Sequence, residues 1–369
     1  MDDSDKEVVA SLVKASYFGQ RERRNHFMLR HTKYDRNARA TELVLGTTGV
    51  SKFWDLPVDI GRLSMLRKLE LRYCRCIPSS LGSLKRLESV VLIQFDGKTR
   101  LLDPQLDNTT LNFPETKSLE IRGGFWNEQS MTRFMGWITR AGNFPKLADL
   151  RFIHLESEIL SVVLDALSMQ SNTSSILNLT RLQLDFSGMS DQQLQRLLFA
   201  IVPHFPNLTS LSVKGNQIRS LQFLQNFFEG KPSDCASSRL LSSSLRSLSF
   251  DHNPILKHKN KMEETKAIVV LLRDCFPLLE SLLTWGDWDQ EIECWLRINR
   301  GRRILFMGKC TTTSTQTPVS LWPKVLEKAC RTSPRGVKTE KEDATVVFHL
   351  LRNGPMVFER LTASSDFEG

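Results

Sequence analysis

LRKLELRYC, residues 66–74, reads Leu66-x-x-Leu69-x-Leu71-x-x-Cys74, and the spacing returns as LTSLSVKGN at 208–216 and LRSLSFDHN at 245–253. The middle of each copy alternates apolar with polar residues, the period of a half-buried strand, and each copy closes on Cys or Asn. One copy is too short to bury its own apolar side, so the pattern requires a neighbour stacked against it. Working outward, the residue that opens each such strand recurs at Leu43, Leu69, Val90, Leu119, Leu150, Leu182, Leu211, Leu248 and Leu282, which gives nine turns.

The intervals between these residues predict what lies behind the strands. The first two, 26 and 21 residues, leave room only for an extended or 3₁₀ return, whereas the later ones, 29 to 37 residues, accommodate helices. Met131, Phe134, Met135 and Ile138 recur at helical spacing, as do Leu194, Leu197, Leu198 and Ile201, and Ile268, Leu271, Leu272 and Cys275. Each set is one apolar stripe directed at the sheet. Ser190 followed by Gln193 forms a capping box for the second helix, and Pro203 ends it. All three helices run into one phrase, Phe-Pro-x-Leu, at 144–147, 205–208 and 276–279. Proline stops the helix and favours extended geometry before it, which delivers the chain to the next strand.

Side chains within a repeat divide by role. The leucines of each xLxL strand point into the core and the residues between them point to the concave face. Asn216 and Asn253 fall at the bend after the strand, where a buried amide satisfies neighbouring backbone groups from turn to turn, and Cys74 takes that place in its own repeat. A metal reading of Cys74-x-Cys76 fails because no second Cys or His pair lies at ligand spacing. The concave position after the second core residue holds Gly46, Arg72, Ile93, Arg122, Ile153, Asp185, Lys214, Asp251 and Trp285. Arg151 joins Arg72 and Arg122 from earlier in its own strand, and Glu70 and Glu120 sit beside those arginines. Arginine forks suit carboxylates and phosphates, and a solvent-facing tryptophan is a strong interface anchor. The candidate protein-binding residues are therefore Glu70, Arg72, Glu120, Arg122, Arg151, Asp185, Lys214, Asp251 and Trp285.

Two stretches, Leu56-Pro57-x-x-Ile60-Gly61-x-Leu63 and Ile77-Pro78-Ser79-Ser80-Leu81-Gly82-Ser83-Leu84, resemble the plant-type leucine-rich repeat with its signature IPxxLGxL. Residues 110–300 resemble, more loosely, the longer helix-containing repeats of ribonuclease-inhibitor type. Asn299-Arg300-Gly301-Arg302-Arg303, Leu321-Trp322-Pro323 and His349-Leu350-Leu351-Arg352-Asn353-Gly354-Pro355 resemble expanded leucine-rich-repeat families of microalgae. The resemblance implies an α/β fold, a leucine-rich-repeat solenoid with a curved parallel sheet on its concave face, a mixed 3₁₀ and α-helical convex side, and short helical caps. It implies protein recognition. The chain departs from plant receptors in showing no leader, membrane span or kinase signature.

The expected organisation follows from composition. Residues 1–39 are a basic N-terminal segment forming a helical cap, 40–308 the solenoid of about nine repeats, 309–320 a Thr-rich linker, and 321–369 a C-terminal helical cap and tail. A solenoid grows by adding repeats, so 369 residues fit one elongated domain. Ser233–Ser244 reads as a surface insertion. Net charge is +9, which permits anionic partners without choosing one, and the clearest basic run contains Arg21, Arg23, Arg24, Arg30, Lys33, Arg36 and Arg39. An acidic start and seven scattered cysteines point to a reducing, intracellular and mainly cytoplasmic protein.

No phosphate loop, nucleophile elbow or zinc helix is present in the sequence, and its seven histidines are dispersed. Glu70 and Glu120, two turns apart, have a spacing near that of inverting glycosidases, with nothing else to support such an enzyme. The expectation is a monomeric, non-enzymatic module that needs no cofactor or metal and recognises a protein through its concave face. Regulation of an enzyme, as a GTPase-activating protein or ubiquitin-ligase substrate receptor, and nucleic-acid binding through residues 21–39 are the alternatives.

Overall fold

A computed structural model of the chain describes residues 4–16, 32–46, 53–94, 112–140, 142–169, 175–225, 244–255, 261–283 and 290–306. Two compact units are formed, Met1–Ile218 with Ser249–Asn253, and Arg219–Leu248 with Pro254–Gly369. The division falls in the longest repeat interval, between Leu211 and Leu248.

The first unit begins with a helix, Ser4–Ser16, whose Val8, Val9, Leu12 and Val13 are buried. Its strands are β1 (Thr32–Tyr34), β2 (Ala40–Leu45), β3 (Trp54–Asp55), β4 (Lys68–Arg72), β5 (Cys74–Cys76), β6 (Ser89–Ile93), β7 (Ser118–Arg122), β8 (Asp149–Ile153), β9 (Arg181–Asp185) and β10 (Ser210–Ser212). β1 pairs antiparallel with β2, and the sheet continues in parallel through β4, β6, β7, β8, β9 and β10. Leu43, Leu69, Val90, Leu119, Leu150, Leu182 and Leu211 lie directly opposite one another across that sheet. This is the register the repeat spacing predicts. A one-residue slip in any strand would turn its leucines to water, so burial fixes the alignment.

Behind the sheet the return segments change as the intervals require. Val58–Arg62 and Ser79–Ser83 are 3₁₀ turns entered from Pro57 and Pro78, and both carry one buried apolar residue, Ile60 and Leu81. Gly61 allows these turns to approach closely, because a Cβ there would sit 2.6 Å from the Ser80 carbonyl oxygen. Glu128–Thr139 and Ser157–Ser168 are α-helices, and Met131, Phe134, Met135 and Ile138 of the first are buried. Ser190 and Gln193 cap each other at the start of Asp191–Arg196. That helix does not remain α-helical to its end. Leu197–Ile201 is a π turn, followed by a 3₁₀ turn at Val202–His204 that contains Pro203.

The second unit repeats the device. The helix Lys261–Val270 passes into a π turn at Leu271–Cys275, and Asn299 on the helix Gln290–Phe306 donates to the Leu272 and Phe276 carbonyls. Glu264, buried, accepts from Ser220 Oγ at 2.7 Å and from the Leu221 amide at 2.8 Å. β12 (Ser281–Leu283) carries Leu282 inward, and Leu248 of β11 (Ser247–Ser249) is likewise buried. In both units each Phe-Pro-x-Leu phrase closes a turn, with Leu147, Leu208 and Leu279 amides donating to Phe144, Phe205 and Phe276 carbonyls. Residues 17–31, 226–243, 284–289 and 307–369 lie outside the described residues. With them lie Arg21, Arg23, Arg24 and Arg30 of the basic run, Trp285, the Thr-rich linker and the C-terminal cap.

Candidate functional site

The side of the first unit's sheet that carries the residues between the buried ones is its open face. Arg72, Ile93, Arg122, Ile153 and Asp185 form one register column there, and Glu70, Val91, Glu120, Arg151 and Gln183 form the column beside it. Glu70 and Glu120 are thus two turns apart, as predicted. Their carboxylates are occupied by arginines rather than aimed at each other. Glu70 accepts from Arg72 at 2.6 Å, while Glu120 pairs with Arg122 and, at 3.5 Å, with Arg151.

The acids lie beneath the cations. The Glu120 side chain is 6% exposed and that of its partner Arg122 is 51% exposed; Asp149 is 17% exposed beneath Arg181 at 53%. Arg151 grips Asp149 with both Nε and a terminal nitrogen, and this pairing raises its already high pKa further, with Glu120 and Asp185 adding to it. At the start of the sheet Glu42 lies between Lys33 and Lys68, whose ammonium groups lower its pKa. The Lys33 and Lys68 pairs with Glu42, whose cations are largely exposed, contribute only roughly 0–1 kcal/mol each to stability.

Asp185 departs from the rest of its column. It is buried, and its carboxylate accepts from Ser212 Oγ, the Lys214 amide and Gln183 Nε2. It lies in the expected column, with its carboxylate engaged by Ser212 of β10 and by the Lys214 amide that follows. Lys214 and Asp251 are half-buried and follow their strands as predicted.

The bend after each strand is built by the predicted amides. Asn216 Oδ1 accepts from the Ser187 and Met189 amides, and its Nδ2 donates to the Leu184 and Val213 carbonyls. Asn253 serves Ile218, Val213 and Phe250 in the same way, and Ser187 Oγ receives the Leu155 amide one turn earlier. Cys74 fills the place with a thiol that burial pushes up to about 12, so it remains protonated at neutral pH. Its contact is to the Cys76 carbonyl, and among the described residues no cluster of three or more His, Cys, Asp or Glu is placed to hold a metal ion.

One column escaped the sequence reading as a unit. The residue just before each bend is left-handed in every described repeat: Tyr73, Gln94, Gly123, His154, Phe186, Gly215 and His252, with φ from 50° to 66°. The cause is a last rung of the ladder. The amides of Tyr73, Gln94, Gly123, His154, Phe186 and Gly215 donate to carbonyls of the next repeat, after which the chain must turn sharply. Glycine adopts this geometry freely, whereas a side chain there costs roughly 1–2 kcal/mol. Five of the seven positions nevertheless carry side chains, and four of those are rings. His154 stacks on Phe186 with centroids 5.0 Å apart, His252 follows at 6.5 Å, and Phe53 links Tyr73 to the exposed Phe125. Lys214 Nζ stands 6.0 Å from the Phe186 ring centre. The signal was present in the repeat alignment, at the fourth residue after each strand-opening leucine, but its mixed composition hid it.

No protein-family model matches the chain, and no curated protein matches it. Among solved structures it is similar to a leucine-rich repeat protein from Bacteroides thetaiotaomicron, at 12% identity and a TM-score of 0.39, over 68% of this chain and 43% of that one. It is also similar to the leucine-rich-repeat ectodomain of the receptor kinase SOBIR1 from Arabidopsis thaliana, at 16% identity and a TM-score of 0.20, over 69% and 94% of the two chains. A third is an internalin from Listeria monocytogenes, at 15% identity and a TM-score of 0.28, over 62% and 64%. The chain spans less than two thirds of the Bacteroides and Listeria proteins. At such scores the fold assignment stands on the chain's own strand register.

Proposed function

We propose that this chain, a leucine-rich-repeat protein by its repeats and register, binds a partner protein through the open face of its parallel sheet and catalyses no reaction. The observation that carries this reading is the row of arginines on the open face, Arg72, Arg122 and Arg151, each paired with a carboxylate of the same strand. Preset side chains lose little freedom on binding, which is how a rigid surface gains affinity. We place the protein in the cell interior as a monomer. No helix among the described residues is long and apolar enough to cross a membrane.

Site-specific photo-crosslinking tests the reading. A photoreactive residue at Arg122 on the open face is expected to trap a partner protein in the cells that make this chain, while one at Arg133, exposed on the helix Glu128–Thr139, is not. Trapping only from position 133 would move the binding surface to the helical side. A small GTPase or a ubiquitin-ligase subunit trapped from position 122 would define the protein as a regulator of that enzyme.

A further inference from the structure

We infer that the edge at which the first parallel strands begin is a docking strip for the phosphate backbone of a nucleic-acid duplex. Arg72 and Arg122 of the open face stand at the other end of those strands, so the inference goes beyond the protein-binding reading and does not depend on it. The edge is continuous. The amides of Arg67, Glu88 and Lys117, each one residue before its strand, donate to the carbonyls of Thr41, Arg67 and Glu88 at 2.7–2.8 Å. The β1–β2 turn, closed by the Asp35 amide on the Arg39 carbonyl, lies at this same end, because β2 runs parallel to β4. Four rungs at strand spacing make a strip about 15 Å long.

The strip is strongly cationic. Residues 32–42, 61–68, 82–89 and 112–118 hold nine Lys and Arg against four Asp and Glu, a net +5 in a chain of net +9. Asp59, one 3₁₀ turn before Arg62, and Asp5, which accepts from the Ala40 amide, still leave an excess of +3. All nine cations are exposed, whereas the four carboxylates are half-buried and already engaged. Asp35 accepts from the Asn37 and Arg39 amides, Glu42 pairs with Lys33 and Lys68, Glu88 with Arg67 and Lys117, and Glu115 with Lys146 of the next rung. Arg36, Arg39, Arg62, Lys85 and Arg86 have no ion-pair partner among the described residues. The excess fades beyond them: the next three strand entries, 142–149, 175–181 and 205–210, hold two cations and one carboxylate.

The form of the strip selects its occupant. A duplex carries one charge per about 1.7 Å of axis, so about nine phosphate charges run along its length. Folded acidic proteins rarely reach that density, and four of the five unpaired cations are arginines, whose forks match phosphate oxygens. A single strand needs rings on which to stack its bases, and a lipid surface favours an apolar anchor. Within the strip the one large apolar side chain that is exposed, among the described residues, is Tyr34, at 40%.

Fluorescence anisotropy of the full chain with a short fluorescein-labelled duplex, titrated between about 50 and 200 mM salt, tests the proposal. Five phosphate contacts predict a slope of about −4.5 in log affinity against log salt. Arg62→Gln/Lys85→Gln/Arg86→Gln should bring it to about −2 and weaken binding about tenfold or more, and Arg36→Gln/Arg39→Gln should remove about two units on its own. These side chains are exposed, so circular dichroism should show both variants folded as the wild type. Arg72→Gln/Arg122→Gln, on the open face, is expected to change neither affinity nor slope. Wild-type binding that is absent or independent of salt would overturn the proposal, as would equal affinity for polyglutamate or tighter partition onto phosphatidylserine vesicles. If the triple variant binds as the wild type does and substitution of Arg21, Arg23, Arg24 and Arg30 by Gln abolishes binding, the strip is not the site. Loss confined to Arg72→Gln/Arg122→Gln would also refute it, by placing the duplex on the open face.

Discussion

Replacing Asn216 with leucine is expected to destabilise the first unit by about 3–5 kcal/mol in urea denaturation, the largest effect of any single substitution considered for this chain. The side chain makes four hydrogen bonds between 2.8 and 3.0 Å, to the amides of Ser187 and Met189 and the carbonyls of Leu184 and Val213. All are buried. Leucine matches asparagine in branching and side-chain heavy-atom count, though it is bulkier, and it leaves these backbone groups without partners, each orphaned group costing about 1–3 kcal/mol. Asn216→Asp retains the acceptor and loses the donor, so it should fall between the two while adding a buried charge. A loss below about 1 kcal/mol for the leucine variant would show that the bend does not depend on its amide ladder.

Gly215→Val is expected to cost about 2–4 kcal/mol for two separable reasons. A branched residue at φ +66° is strained whatever surrounds it, and its Cβ would collide with the Phe186 ring. The two contributions can be told apart by a double-mutant cycle with Phe186→Gly. Removing the ring should return the steric part and leave the backbone part, so the cycle should show a coupling of about 1 kcal/mol or more. Additive effects would mean that the ring moves aside at no cost. The two substitutions probe one bend, since Asn216 follows Gly215, whose missing Cβ leaves the space that the Phe186 ring fills.

How much of this could be read from the residues follows from what constrained them. The strand register from Leu43 to Leu211 was legible because burial admits one alignment of an alternating pattern, and the amide role of Asn216 and Asn253 followed from their place after it. The 3₁₀ returns at Val58–Arg62 and Ser79–Ser83 followed from interval length. The π turns at Leu197–Ile201 and Leu271–Cys275 did not, because an i, i+3, i+4, i+7 stripe absorbs one extra residue without changing which side chains are apolar. Nor did the small parallel pairing of Trp54–Asp55 with Cys74–Cys76, whose strands are too short to show a period.

The surface was legible in part. Alternation put Arg72, Arg122 and Glu120 in their columns, but it could not say that Glu120 lies nearly buried under two arginines or that Asp185 is used up holding β10. Those outcomes depend on which side chains meet across strands, a matter of packing and not of period. The ring column was visible only once its backbone was seen to be left-handed, since Tyr, Gln, Gly, His and Phe share no side-chain property.

The open face as the recognition surface is tested most directly by measuring partner affinity for the wild type against Arg72→Glu/Arg122→Glu, using the protein trapped from position 122. Reversal puts a carboxylate beside Glu70 and the buried Glu120, so the urea midpoint should fall, and affinity is compared under conditions where circular dichroism shows both proteins folded. The account predicts affinity weakened by about tenfold or more. Undiminished affinity in the folded variant would contradict it.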